Sequence, residues 1–312
     1  MCAMCRSPLA ASLAMMLPIL PFPRGRRAFK ITVLFLHQWL WLGIFAVPFQ
    51  LSLLAPCFML GFLLILGVEL GHHRYFSHRS FRTGRVFQFV LGLWATAAFQ
   101  RDVLWWASMH RLHHRYSDTV NDPHSPYEKN AGGYWHAHLV WAVVQRNAEV
   151  DQHGISDLLA YPELRWLGNW HYLVSIVLAA ICYALGASGL AGTSGWQTLI
   201  WLYVMPVFIC QHVISCQATF AHSAPRLPGA YRSFETDDES VNHLLMGLVS
   251  SGGGFHNNHH QFPGSARLGL KPAEFDITYQ VIRILHRLGI VHKVTIPRAV
   301  LRYIEEQRAP RP

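Results

Sequence analysis

The most constraining feature of the sequence is a nearly uninterrupted apolar run over residues 31–70. One helix crosses a bilayer with about 20 residues. The run therefore predicts two crossings, 31–48 and 51–70, hinged at Pro48, Phe49 and Gln50. A second pair follows at 172–190 and 196–214, separated by the turn AGTSG at 191–195. Neither turn holds a Lys or Arg, whereas the N-terminal arm (residues 1–30), the segment from Arg74 to Arg165 and the C-terminal tail are rich in them. Cationic loops stay on the cytoplasmic side. The sequence thus predicts an all-α integral membrane protein with four transmembrane helices and both tight turns outside. Both termini lie inside, and regions 71–171 and 215–312 form a cytoplasmic helical cap. In a bacterial cell this is a multi-pass protein of the inner membrane.

Only 14% of residues are charged, against about 25% in soluble domains. The formal net charge of +9 would point to nucleic acid on a soluble chain. On an apolar one it reads as charge held at one membrane face, so the expected partner is the bilayer and not nucleic acid. The apolar patch at 9–22 precedes most of its charge, the reverse of a signal peptide, so residues 1–30 are expected to be a cytoplasmic arm. Cys2 and Cys5 form a C-x-x-C without the second pair that a structural zinc site needs. Residues 86–99 are apolar but too short to span comfortably, which predicts a buried or interfacial helix. The tail from Lys271, with Phe275, Ile277, Val281, Ile282 and Leu285, has the period of an amphipathic helix capping the cytoplasmic domain.

Histidine is the unusual residue, with 20 copies. Eight fall in three clusters: His73 with His78, then His110, His113 and His114, then His256, His259 and His260. The last two clusters are H-x-x-H-H, for which chance gives roughly 0.1 occurrences in a chain this rich in His. On an α-helix, residues i and i+4 lie about 40° apart, so each motif gathers three rings on one face. The adjacent pairs His113–His114 and His259–His260 diverge by about 100°, which suits two metal ions better than one. His73 and His78 do not share an ideal α-helical face, and local unwinding or one ligand to each metal would reconcile them. The clusters meet on one side only if residues 86–99 do not span. Imidazole suits Zn, Cu, Fe or Ni, so ligand type alone does not name the metal.

The residues around these clusters resemble the acyl-CoA desaturase family of integral membrane enzymes, and its bacterial, stearoyl-CoA desaturase-like members in particular. The similarity is carried by GHHRYFSHRSF at 71–81, LWW at 104–106 leading into His110, SD at 117–118, DPHSP at 122–126 and HNNHHQFPGSAR at 256–267. It runs from about Gly67 to Leu288, within a membrane domain of residues 31–312. The resemblance implies two iron ions held by nine histidines: His73, His78, His110, His113, His114, His222, His256, His259 and His260. His222 enters on the resemblance alone. Two departures stand out. The family commonly has Asn-Ser where this chain has Ala218-Thr219, with Gln217 adjacent, and Gly-Glu-Gly where it has Gly252, Gly253 and Gly254.

The implied reaction desaturates a long-chain acyl-CoA or acyl lipid, with carbons 9 and 10 the family's usual target. It reduces O₂ to two waters with two electrons from the substrate C–H bonds and two from a donor. The sequence carries no P-loop, glycine-rich dinucleotide fingerprint or iron–sulfur cysteine cluster, so a separate donor is expected, a ferredoxin- or b-type-cytochrome-like protein with its reductase. Asp118, Asp122 and Gln217 are candidates to support the ligands through their second ring nitrogens, and Glu69 is another. Trp105 and Trp106 are candidates for the substrate wall, and Arg74, Arg111 and Arg115 for an anionic head group. The nearest rival is a sister di-iron hydroxylase, whose first cluster tends to the shorter H-x-x-x-H. A zinc hydrolase would want a Glu inside a cluster, as in H-E-x-x-H, and these clusters have none.

Overall fold

The computed structural model describes residues 38–127, 133–144, 147, 149–189, 192–223 and 226–308. The expected arm at 1–30, Cys2, Cys5 and the first part of the 31–48 crossing lie outside these residues. The rest of that crossing includes a 3-10 helix, Leu40–Phe45.

Three helices among the described residues are long and apolar enough to cross a membrane: Leu51–Ser77, Pro162–Ala187 and Gly195–Phe220. The first comprises α1 (Leu54–Gly67) and a π-helical continuation, Val68–Ser77. Its 27 residues rise about 40 Å, more than the roughly 30 Å of a hydrocarbon core. Phe58 and Met59 here, and Ile176 and Val177 on the second span, are each more than half exposed. Such unpartnered faces are what lipid covers.

The middle of the chain packs against the end of the first span. After a two-residue strand, β1 (Arg82–Thr83), comes α2 (Arg85–Thr96), where the sequence predicts a short helix. It rises only about 18 Å and packs against the π-helical turn, with Leu91 and Ala95 over Gly71. Helix α3 (Val103–Tyr116) starts where Asp102 accepts hydrogen bonds from the Leu104 and Trp105 amides and carries the second histidine cluster on its last turns. Helix α4 (Tyr134–His138) is short.

The second span, α5 (Pro162–Ala187), begins at Pro162 rather than at 172, and it leaves helical geometry at Trp170, which joins the two parts. The third span comprises α6 (Gly195–Leu199), a π-helical turn at Ile200–Val204, and α7 (Met205–Phe220). A capping box formed by Ser194 and Gln197 opens it, in the expected turn. Gln197 Nε2 also donates to the Pro48 carbonyl at 3.0 Å, so the two cation-free turns sit at the same end of the bundle.

Past the spans come α8 (Leu244–Val249), α9 (His256–Gln261), α10 (Ile277–Arg287), β2 (Val291–His292), which pairs antiparallel with β1, and α11 (Arg298–Arg308). Helix α10 is the predicted amphipathic tail helix. It buries Ile282 in a core with Leu70, Phe76, Leu91 and Leu164, while Phe275, just before it, is exposed.

Candidate metal centre

The i, i+5 spacing of His73 and His78 is resolved by the backbone. The His78 amide bonds to the His73 carbonyl at 3.2 Å, an i→i+5 bond that stacks residues five apart. Both rings therefore join one group with His110 and His259. A second group holds His113, His222, His256 and His260. Each adjacent pair is divided as the helical angle predicts, with His259 in the first group and His113 and His260 in the second. His114 completes the first group, its Nε2 lying 3.1 Å from that of His110 and 2.8 Å from that of His259. All nine expected histidines, the isolated His222 included, thus converge.

They converge through Nε2. The separations are 2.9 Å for His73–His259, 2.8 Å for His78–His110, 2.9 Å for His222–His256, 3.1 Å for His256–His260 and 3.3 Å for His113–His260. Four rings are held from behind by carboxylates. His73 Nδ1 meets Glu69 at 2.8 Å, His113 meets Asp122 at 2.9 Å, His222 meets Asp118 at 3.0 Å, and His260 meets Asp238. A carboxylate fixes the proton on Nδ1, so the Nε2 of each neutral ring is a bare lone pair. His113 and His260 are both held this way, yet their Nε2 atoms face each other.

Facing lone pairs repel unless a cation lies between them. Two nitrogens about 2.1 Å from one ion and at right angles would stand about 3.0 Å apart, which matches the spacings found. The donor set therefore fits two metal ions with all-imidazole ligation. Electrostatics agree. Burial, and then the neighbouring rings, hold His78, His110, His114, His256 and His259 well below the ordinary histidine range, in the neutral form that ligates. Burial alone would raise the Asp122 and Asp238 carboxyls, but their histidine partners and hydrogen bonds outweigh it and keep both ionised.

Of the expected supporting residues, Asp118 and Asp122 each bond a histidine. Gln217 acts one step further back, donating to Glu69 Oε1 at 2.8 Å. Asp238 was not anticipated, and its only signal is the acidic run Asp237-Asp238-Glu239 in a charge-poor chain. His124 was also missed as a site residue. It stacks on His113 with centroids 4.2 Å apart, and burial pushes it down to about 3. His113, Asp122 and His124 also form a close trio, in which Asp122 already accepts from His113 Nδ1.

A cavity of about 390 Å³ opens beside the second group, lined by Trp39, Trp41, Phe99, Trp105, Trp106, Trp141 and Phe208 and reaching His110, His113 and His256. Trp105 stacks on Trp141 and Trp106 on His72, so both expected wall residues face it. The arginines behave differently. Arg74 is 1% exposed and forms a two-pronged ion pair with Asp276 at 2.9 and 3.0 Å. Arg111 is tied to the Phe76, Ser77 and Gly154 carbonyls and to Asp157. Both guanidiniums brace the scaffold instead of facing a head group. Arg115 is exposed on the last turn of α3. His212, which also lines the cavity, has its Nδ1 2.9 Å from His138 Nε2.

Apolar helices of membrane-spanning length, ending in two imidazole cages beside an aromatic cavity, define an integral-membrane metalloprotein that handles an apolar substrate. Residues 49–274 match the profile of the family described as Fatty acid desaturase. An sn-1 stearoyl-lipid 9-desaturase of Synechocystis sp. is 33% identical over 234 residues, covering 74% of this chain and 68% of that one. An sn-2 palmitoyl-lipid 9-desaturase of Nostoc sp. is 31% identical over 273 residues, covering 82% and 90%. An acyl-CoA C20 Delta5-desaturase of Anemone leveillei is 29% identical over 241 residues, covering 76% and 71%. The chain belongs to the fatty acid desaturase family and is an oxidoreductase of lipid metabolism. These relatives favour desaturation over the sister hydroxylation.

Proposed function

We propose that this desaturase inserts a cis double bond between carbons 9 and 10 of a long-chain acyl-CoA or acyl lipid, using two iron ions and O₂. The observation that carries the reading is the convergence of nine imidazole Nε2 atoms beside an aromatic cavity. His73, His78, His110, His114 and His259 would hold one ion, and His113, His222, His256 and His260 the other. When bound, the pair would activate O₂, the oxidant for C–H cleavage. The chain's own residues do the rest. Trp105, Trp106 and Trp141 hold an acyl chain against the cages and keep water away from it. Asp118, Asp122, Asp238 and Glu69 keep a proton on Nδ1 of their histidines and so fix each ring's direction. Electrons come from a separate ferredoxin- or b-type-cytochrome-like protein with its reductase.

The bond between Gln197 and the Pro48 carbonyl supports a four-span arrangement, because it places both cation-free turns at one end. The site then faces the cytoplasm, with both termini, in a bacterial inner membrane.

The test is expression in a bacterial membrane that lacks its own desaturase, beside a His113→Ala control, with fatty acids profiled by mass spectrometry. New mono-unsaturated acids with a bond at carbon 9, absent from the control, are expected. Hydroxylated chains, or purified protein that binds no iron, would overturn the reading.

A further inference from the structure

Glu69 is a carboxylate 1% exposed, inside a helix of membrane-spanning length. Ionisable groups there are costly and persist where they serve a function. Its two oxygens are both engaged. Oε2 accepts from His73 Nδ1 at 2.8 Å, and Oε1 accepts from Gln217 Nε2 at 2.8 Å. Three elements therefore meet at one carboxylate: the π-helical end of the first span, α7, and the loop leading into α9. The loop takes part through Gly253. A Cβ there would collide with Glu69 Oε1 and Gln217 Nε2 and lie 2.8 Å from Gln217 Cδ. The neighbouring glycines answer to other parts, Gly252 to Arg74 and Asp276 and Gly254 to α8. Gly253 alone of the three makes room for the carboxylate.

We propose that Glu69 is the positioning residue that aims His73 at its metal ion, and that Gly253 is the space reserved for its carboxylate. This rests on the two-ion reading above. A carboxylate attached at position 253 would reach the volume that Glu69 now fills, so the support can be moved between the two positions. Glu69 acts on one cage only, since His73 belongs to the group with His78, His110 and His259. Its loss should weaken that cage and spare the other.

The test measures iron in purified, folded full-length protein, by metal analysis and by Mössbauer spectroscopy of ⁵⁷Fe-loaded samples. Wild type is expected to hold two ions. Glu69→Ala is expected to weaken one of them about 10–100-fold in chelator competition, leaving one spectral component. Gly253→Ala should do the same by displacing the carboxylate. Gly253→Asp in the Glu69→Ala background should restore the second component. Should Gly253→Ala fail to fold, Glu69→Gln, which keeps the volume but not the charge, reads the same point through a partial loss confined to one component. Wild-type occupancy in Glu69→Ala, or equal loss of both ions, overturns the positioning role. A transposed carboxylate that restores nothing overturns the reserved space. A wild type without iron would instead sink the two-ion reading itself.

Discussion

Each carboxylate at the centre holds its histidine through one hydrogen bond to Nδ1, and its removal should register in metal affinity before it registers in folding. Asp122→Ala takes the Nδ1 partner from His113 and also strands the Asp118 and His124 amides that Asp122 accepts. Asp238→Ala frees His260. Losing such a partner typically costs 10–100-fold in affinity or activity. Chelator competition on purified protein should show that loss for both variants, while an exposed control, Glu305→Ala, stays at the wild-type value. The same rings give the metal-free protein a pH dependence. Burial first, and then the neighbouring rings, depress His110, His114, His256 and His259 far below the ordinary value, and burial pushes His124 and His260 to about 3. Between those values and about 6.5, the unfolded chain binds more protons than the folded one, so stability is lost as pH falls. His222 opposes this, because Asp118 outweighs its burial and raises it, but it stands against the larger group. Thermal unfolding of the apo-protein should therefore shift to lower temperature from pH 7 to pH 5. An unchanged melting curve would contradict it.

At the scale of elements, the ion pair of Arg74 with Asp276 fastens the π-helical turn to α10. Asp276 also accepts from the Leu268, Gly269 and Tyr279 amides. Asp276→Ala leaves a buried guanidinium without its partner, at a cost of about 3–5 kcal/mol. Denaturation in detergent should show that loss, and Asp276→Asn, which keeps acceptors, should lose less. This bridge also marks where sequence reading stops. The H-x-x-H-H spacings were legible because α-helical geometry is local, and the division of each adjacent pair between the two imidazole groups followed from the 100° step alone. The His73–His78 spacing was not decided, because a π-helical turn depends on what packs around it, here Ala95 and Leu91 over Gly71 and Asp276 on Arg74. His222 stands singly and Asp238 lies in an ordinary-looking acidic turn, so only the fold brings them to the cage. Arg74 and Arg111 look like surface charge in sequence, but Arg74 turns inward to the buried carboxylate of Asp276, and Arg111 to the open carbonyls of Phe76, Ser77 and Gly154.

For the whole molecule, the charge pattern and the hydrogen bonding are each consistent with the proposed four-span topology. On positive-inside bias the Pro48 and Ser194 turns are expected outside, because neither carries a cation. The bond from Gln197 to the Pro48 carbonyl places them together without reference to charge. If both turns are outside, the surplus length of the first span and the end of α7 both project inward, and His73, at the end of one, and His222, just past the other, belong to the two adjoining imidazole groups. A helix from residues 86–99 that crossed the bilayer would separate His73 from His110, whose rings lie 4.8 Å apart. Alkaline phosphatase fused after Thr193 should therefore be active and after Arg308 inactive, while a fluorescent protein after Arg308 should fold and shine. A fusion after Thr96, at the end of α2, should report the same side as Arg308. If it reported the Thr193 side, α2 would have to span, and no single compartment could then hold all three histidine clusters.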